Sequence, residues 1–339
     1  MRGPLKSAAG LALLPVLALA AGCSAGGAAT DAAPADPTAS APSSSSAPVT
    51  AYAPYVSAGT ASATEAAGSP TTYNLAFVIS SGSGCTPYWN GTQDIDDASV
   101  TSRIAGLTGS GADVRVSFGG ASGDELAATC GSAAELAGAY GAALDAAGAT
   151  RADFDIEGDE LTDSASVGLR SEALALLQEE RDDLEVSFTL PVMPSGLDQD
   201  GLDLLESAND HGVRVATVNI MTMNYGESYD GDMGDYALAA ARATQTQLRD
   251  VFGLSAADAW RGMALTSMIG VNDVAGETFT LEDAAEVRAF AAEKGVAWVS
   301  MWSAFRDREC GGDASADDPL TDCSGVEQED GAFGEALAG

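Results

Sequence analysis

Asp153, Asp155 and Glu157 stand at alternate positions in the segment Ala152-Asp153-Phe154-Asp155-Ile156-Glu157-Gly158. Phe154 and Ile156 fill the gaps, a period-two pattern that reads as a short buried β-strand with acid on one face. Side chains two apart on a strand point the same way and lie about 6–7 Å apart, so the three carboxyls form one file. Carboxylates this close cannot all ionise freely, and at least one is driven toward its protonated form. A carboxyl that keeps its proton near neutral pH is what general acid catalysis needs. With 50 acidic residues in 339, such an alternation arises by chance about once per chain, so the surrounding elements must decide its meaning.

Those elements follow a regular order. Short apolar runs at 51–56, 73–79, 113–118, 152–157, 184–190, 216–223, 262–269 and 296–302 predict strands. Periodic, Ala-rich segments at 125–146, 164–180, 234–251 and 281–294 predict helices between the later ones. Eight strands with intervening helices predict an α/β protein, a (β/α)8 TIM barrel. An open doubly wound sheet is less well supported, because no glycine-rich phosphate loop follows the first strand. In a barrel the reactive groups sit at the C-terminal ends of the strands, and Glu157 falls at the end of the fourth.

Other predicted strand ends carry distinctive residues. The third closes with Ser117-Phe118-Gly119-Gly120, where paired glycines let the backbone approach another element or a ligand closely. The sixth runs through Asn219-Ile220-Met221-Thr222-Met223-Asn224-Tyr225-Gly226, a thioether wall with a phenol, and the eighth ends Ser300-Met301-Trp302-Ser303. Barrel packing alone explains a buried Met221 or Met223. A Tyr and a Trp together at the predicted rim offer flat faces of the kind that pack on sugar rings. After the second strand, Cys85-Thr86-Pro87-Tyr88-Trp89-Asn90-Gly91 reads equally as an aromatic subsite through Trp89 or as a structural loop pinned by Cys85.

Composition bounds the setting. Arg2 and Lys6 precede an apolar run at 11–21 that is too short for a stable membrane span and fits a signal peptide. The run ends Leu19-Ala20-Ala21-Gly22-Cys23, close to a bacterial lipobox. Residues 1–22 are therefore expected to be a lipoprotein signal, with Cys23 the lipidated mature terminus. The other outcome is ordinary cleavage and secretion. A single lipid would tether an otherwise soluble domain to the outer face of the cell membrane. Residues 23–50, rich in Ala, Ser and Pro and without an aromatic residue, cannot bury enough surface to fold and read as a flexible linker. Residues 51–339 are a suitable length for one barrel.

The formal net charge of −35 repels nucleic acid and anionic lipid. The membrane is then a partner only through the N-terminal lipid, and a monomer is expected. Cys85, Cys130, Cys310 and Cys323 are an even set in an exported chain, which suggests two disulfides. Three pairings are possible, and Cys85–Cys130 with Cys310–Cys323 is favoured because each joins neighbouring parts of the chain. None of these cysteines has metal-ligand spacing. His211 is the only histidine and lies in a turn-like string, so a His-based triad or metal centre has little to build on.

Taken together, these residues resemble glycoside hydrolase family 18, the chitinases and chitinase-like lectins, from Tyr52 to Trp302. The family's D-x-x-D-x-D-x-E signature is matched by the stretch from Thr150 to Glu157, with Thr150 in place of the first Asp. Its S-x-G-G is matched by Ser117 to Gly120, its Met-x-Tyr by Met223-Asn224-Tyr225, and its eighth-strand Trp by Trp302. The string Met268-Ile269-Gly270-Val271-Asn272-Asp273 is similar to a subgroup of bacterial chitinases. The resemblance implies a retaining reaction without an enzyme nucleophile, an exception to the usual two-carboxylate scheme. Glu157 is implied as proton donor and Asp155 as partner of the substrate's acetamido N–H. Asp153 is implied behind Asp155, sharing its proton, and Tyr225 as donor to the acetamido oxygen. Trp302 is implied as the floor of the −1 sugar, with Met221, Met223, Asn224, Gly119 and Gly120 around it. No cofactor or metal is implied.

Thr150 falls at a structural position of the signature, so the chemistry is expected to survive. Gly226 stands where Asp or Asn often follows the Tyr, and Asn224 is expected to do part of that work. The substrate class is chitin or another N-acetylglucosamine oligosaccharide. An endo-β-N-acetylglucosaminidase uses the same chemistry. A chitin-binding lectin is the third reading, disfavoured because family lectins usually lose the residue at Glu157.

Overall fold

The computed structural model describes residues 49–82, 84–312 and 321–339. The expected signal peptide, Cys23 and almost all of the linker lie outside the described residues. The first strand, β1, comes in two pieces, Ala51–Tyr52 and Tyr55–Ser57. Pro54 between them has no N–H to give to a ladder, but its carbonyl accepts the Asn74 amide at 3.0 Å. There follow β2 (Thr72–Ser80), β3 (Asp113–Gly119), β4 (Arg151–Asp155), β5 (Glu185–Pro191), β6 (Val215–Met221), β7 (Met263–Met268) and β8 (Trp298–Trp302).

Each strand from β2 to β8 pairs in parallel with the next. The first piece of β1 pairs in parallel with β8 and the second with β2. Every strand thus has two parallel neighbours, the arrangement of a (β/α)8 barrel.

Parallel neighbours need crossovers. These are α1 (Ala98–Thr108), α2 (Ala133–Ala147), α3 (Ser164–Glu180), α4 (Gln199–Asp210), α5 (Met233–Phe252) and α6 (Leu281–Lys294), with α7 (Ala332–Ala338) after β8. Between β1 and β2 the chain runs as turns instead. Among the described residues no helix is long and apolar enough to cross a membrane.

Local chemistry sets the boundaries. Thr280 and Asp283 form a reciprocal capping box at the start of α6, satisfying donors that the first helical turn leaves free. The predicted helix at 125–146 is two helices, Leu126–Thr129 and α2. Cys130 between them is extended and bonded to Cys85, and the Ser132 side chain restarts the helix by accepting the Glu135 amide. The second disulfide is Cys310–Cys323. Next to it, the Ser324 carbonyl accepts the Val271 amide at 2.7 Å, which fastens a short hairpin of Gly270–Val271 and Thr278–Phe279.

The register explains the apolar partners of the acid file. Phe154 lies between Phe118 of β3 and Phe188 of β5 and stacks on Phe118 at 5.1 Å. Tyr140 of α2 meets both Phe118 and Phe154 edge-on at 4.9 Å. Burying each such ring contributes about 1.5–3 kcal/mol. This aromatic layer between sheet and helix holds β4 with its alternate side chains, Asp153 and Asp155, on the opposite, inner face.

Candidate active site

Asp153 is fully buried. Its carboxylate accepts four hydroxyls: Tyr55 of β1 at 2.8 Å, Ser117 of β3 at 2.7 Å, and Ser187 and Thr189 of β5 at 2.9 and 2.8 Å. These donors reach it from three other strands, which places it on the barrel axis. The network continues from Thr189 to Asn219 at 2.9 Å, and from Asn219 to Thr266 at 2.9 Å. With four donors the acceptor sites of this buried carboxyl are well satisfied.

Asp155, one turn of the pleat higher, is a contrast. It is buried, and its Oδ1 has no hydrogen-bond partner. Burial raises its pKa well above the usual carboxylate range, and the charges of Glu157 and Asp153 add to that. An orphaned buried acceptor facing a cavity is a site awaiting a donor.

The β4 ladder ends at Asp155, two residues before its predicted end. The Ile156 amide still reaches the Thr189 carbonyl at 3.0 Å, and Glu157 keeps an extended backbone before the short helix Gly158–Thr162. Its side chain makes no capping bond and lines two adjoining cavities. Burial, helped by the charge of Asp273, pushes its pKa up to about 7.

The first cavity is bounded by Asp155 and Glu157 on one side and by Met221, Met223 and Asn224 on another. Trp302 closes it from β8, stacked on Phe77 at 5.5 Å and edge-on to Tyr55 at 5.9 Å. The second cavity shares Glu157 and the thioether wall, and adds Pro191, Val192, Met193 and Asp198. Glu157 therefore stands where one cavity passes into the next. A proton held there meets an atom that joins a group in one cavity to a group in the other.

Gly119 and Gly120 do not line either cavity. Both have positive φ, and a Cβ on Gly119 would sit 2.2 Å from the Asp155 carbonyl, one on Gly120 2.9 Å from the Phe77 ring. They bring β3 close enough for the Gly120 amide to bind the Asp155 carbonyl at 2.9 Å, so they act on the site through spacing.

No family model matches the chain. It is 34% identical over 249 residues to a probable bifunctional chitinase/lysozyme of Escherichia coli, a match covering 69% of this chain and 28% of the relative. It is 33% identical to Endochitinase 11 of Metarhizium anisopliae over 69% of this chain and 47% of the relative. The chain thus spans less than half the length of these curated relatives. Among solved structures, catalytic-site mutants of active domain 2 of a thermostable chitinase from Pyrococcus furiosus, complexed with chito-oligosaccharides, superpose with a TM-score of 0.73. Identity there is 29%, over 86% of this chain and 94% of that one. The chain is thus similar to chitinases over its folded region, which supports the resemblance to glycoside hydrolase family 18 carried by its motifs. Several roles expected from the sequence look different once the geometry is known.

The family pattern implied a proton shared by Asp153 and Asp155, but the carboxylate of Asp153 is occupied by hydroxyls. It acts on Asp155 through its charge. Tyr225 was implied as a donor to the substrate. Its hydroxyl is buried without a partner, its ring packs on Tyr229 and Tyr236, and it lines neither cavity. Carrying the strand alternation past β6 puts Met221 and Met223 in the cavity, and left-handed Asn224 (φ 55°) turns in after them. Trp89 is also corrected. It is fully buried on the strand Pro87–Trp89, beside β2, with its indole N–H toward the Ile95 carbonyl, so it offers no face to a sugar.

Phe77, Tyr55 and Asp273 were not singled out from sequence as site residues. Asp273 lay within the string Met268 to Asp273, but nothing in its spacing marked it as a cavity residue. Thr150, in place of the signature's first Asp, is exposed at the start of β4, the end away from the cavity.

Proposed function

We propose that this protein is a family 18 glycoside hydrolase that hydrolyses β-1,4-linked N-acetylglucosamine polymers, chitin above all, with retention and with the substrate's acetamido group as nucleophile. The observation that carries the reading is the unpartnered, buried Oδ1 of Asp155 beside a proton-bearing Glu157. Asp153 is held by four hydroxyls and is not available to attack. Asp155 accepts the acetamido N–H and so directs the acetamido oxygen at C1. Glu157 gives its proton to the glycosidic oxygen as the C1–O bond breaks and the C1–O(acetamido) bond forms. Water then attacks C1, Glu157 takes its proton, and the oxazolinium ring opens to the original anomer. Trp302 supplies the flat floor beneath the reacting sugar. The positive charge that develops on the oxazolinium favours ionisation of the neighbouring Asp155 carboxyl, opposing the burial that raises its pKa, and is stabilised by it in turn.

The test is hydrolysis of N-acetylated chito-oligosaccharides by the purified domain, with the first-formed anomer followed by NMR. The β-anomer is expected. An α-product overturns the mechanism, and binding without cleavage overturns the enzyme reading. Peptidoglycan belongs in the same assay, because the E. coli relative is named chitinase/lysozyme. The lipobox-like ending at Cys23 supports placing the enzyme on the outer face of the cell membrane.

The pH profile gives an independent check. Glu157 must carry its proton to act as the acid, and its pKa is raised to about 7. A group with a raised pKa is protonated below that value and loses the proton above it. The alkaline limb of kcat/KM is therefore expected to break near pH 7, and then to fall about tenfold per pH unit. A break near pH 4.5 would mean that burial does not govern this carboxyl.

A further inference from the structure

The wall of the first cavity depends on a loop with no regular structure. Residues 222–226 follow β6, hold Asn224 in a left-handed conformation and carry Met223 and Asn224 to the cavity. Thr222 is tied to β7 through its amide and hydroxyl, which reach the Thr266 carbonyl at 2.8 and 3.1 Å. Beyond Thr222 the loop has two further anchors, and both come from the hairpin after β7. One is at the rim, where the Asn224 side chain donates to Asp273 at 3.1 Å and accepts the Asp273 amide at 3.1 Å.

The other anchor is buried. Glu277 is 1% exposed, and its Oε1 accepts the Gly226 amide at 2.8 Å. The backbone amides of Asn224 and Tyr225 lie close enough to favour its charged form, although burial outweighs them. Its own backbone closes the hairpin turn, with its carbonyl accepting the Asn272 amide at 3.1 Å. The mechanism above does not use this carboxyl, and it lines neither cavity. Burying a carboxyl costs free energy unless donors compensate, and here the one hydrogen-bond donor is the Gly226 amide of the cavity loop, while Oε2 is buried without a partner.

We propose that Glu277 is a positioning residue: from the hairpin after β7 it holds the 222–226 loop in the shape that presents Met223 and Asn224 to the reacting sugar. The proposal deepens the chitinase reading and rests on it for the identity of the sugar. Glu277 touches no substrate. It fixes the depth of the thioether wall opposite Asp155, and so the angle at which the acetamido group enters. Small displacements of such supports weaken catalysis far more than they weaken folding.

The test uses Glu277→Ala, Glu277→Asp and Glu277→Gln in the full domain. Binding of N-acetylated chitotetraose is measured by calorimetry in a Glu157→Gln background, turnover in the wild-type background, and amide exchange over 222–226 without ligand. The alanine variant is expected to bind about tenfold more weakly and to lose on the order of a hundredfold in kcat/KM. Glutamine keeps an oxygen for the Gly226 amide and is expected to restore most of both. Aspartate keeps the charge but withdraws it by one methylene, so it fails in the same direction while remaining folded if alanine does not fold. Exchange at Gly226 rises in the alanine and aspartate variants and stays low with glutamine. Wild-type affinity and turnover in the aspartate variant, or a loss of melting temperature alone, would overturn the proposal. The exchange readout needs no ligand. Unchanged protection sinks the Glu277 role even if the domain proves inert toward chitin, and raised protein exchange with an inert wild type sinks only the substrate reading.

Discussion

Glu157→Gln is expected to lower kcat on N-acetylated chito-oligosaccharides by on the order of 10²–10⁴, the usual contribution of a positioned general acid. The substitution keeps the size of the side chain and removes only its proton chemistry. Glu157 makes no capping bond, so the fold loses nothing with it, and thermal melting should match wild type. Substrate affinity should persist or rise, because Trp302 and the Met221–Met223 wall are untouched. The measurement is single-turnover cleavage of a defined oligosaccharide beside its binding constant. A variant that retains near-full rate would remove Glu157 from the chemistry. A variant that also loses affinity would mean that Glu157 orders the cavity rather than donating a proton.

A larger effect is expected from the substrate side. Fully deacetylated chitosan lacks the oxygen proposed to attack C1, and none of the cavity carboxyls is expected to replace it. Asp153 is committed to four hydroxyls, and Asp155 is placed to accept an N–H. An intramolecular nucleophile held in line is worth an effective concentration of about 10⁵ M or more. Its loss should leave cleavage at background under conditions where the acetylated polymer of equal length is consumed. Reducing-end assays on matched polymers of graded acetylation would measure this, and the rate should track the acetylated fraction. Rapid cleavage of the fully deacetylated polymer would rule out substrate assistance and require a carboxylate nucleophile after all.

Much of the barrel was readable because its strands are buried on both faces. β7 is buried at every position, and such runs announce themselves in sequence. Helices α3 and α6 were predicted to the residue, since each has a polar cap directly before an Ala-rich turn. Helix α1 was missed: its Thr, Val, Ile and Gly residues are weak helix formers, and it is held by burial of Val100, Ile104 and Leu107. The acid file was legible because alternation on a strand is a local property. The partners of Asp153 were not, because serine and threonine are common and only the closed barrel brings Tyr55, Ser117 and Ser187 to one point. That Met223 and Asn224, rather than Tyr225, line the cavity was hidden for a related reason. The alternation that defines a strand ends with the ladder at Met221, and the left-handed turn at Asn224 depends on a hairpin some fifty residues away in sequence.

That hairpin leads back to the Cys310–Cys323 bridge. Cys323 precedes Ser324, Ser324 grips Val271, and the hairpin grips the loop that forms the cavity wall. In a reducing compartment the segment carrying Ser324 would be fastened only by its own hydrogen bonds. In an oxidising one the bridge anchors it covalently. The chemistry of the surroundings is thereby expected to reach the shape of the cleft: reducing the Cys310–Cys323 bridge should raise amide exchange over 222–226, and unchanged exchange would show that the hairpin holds without it.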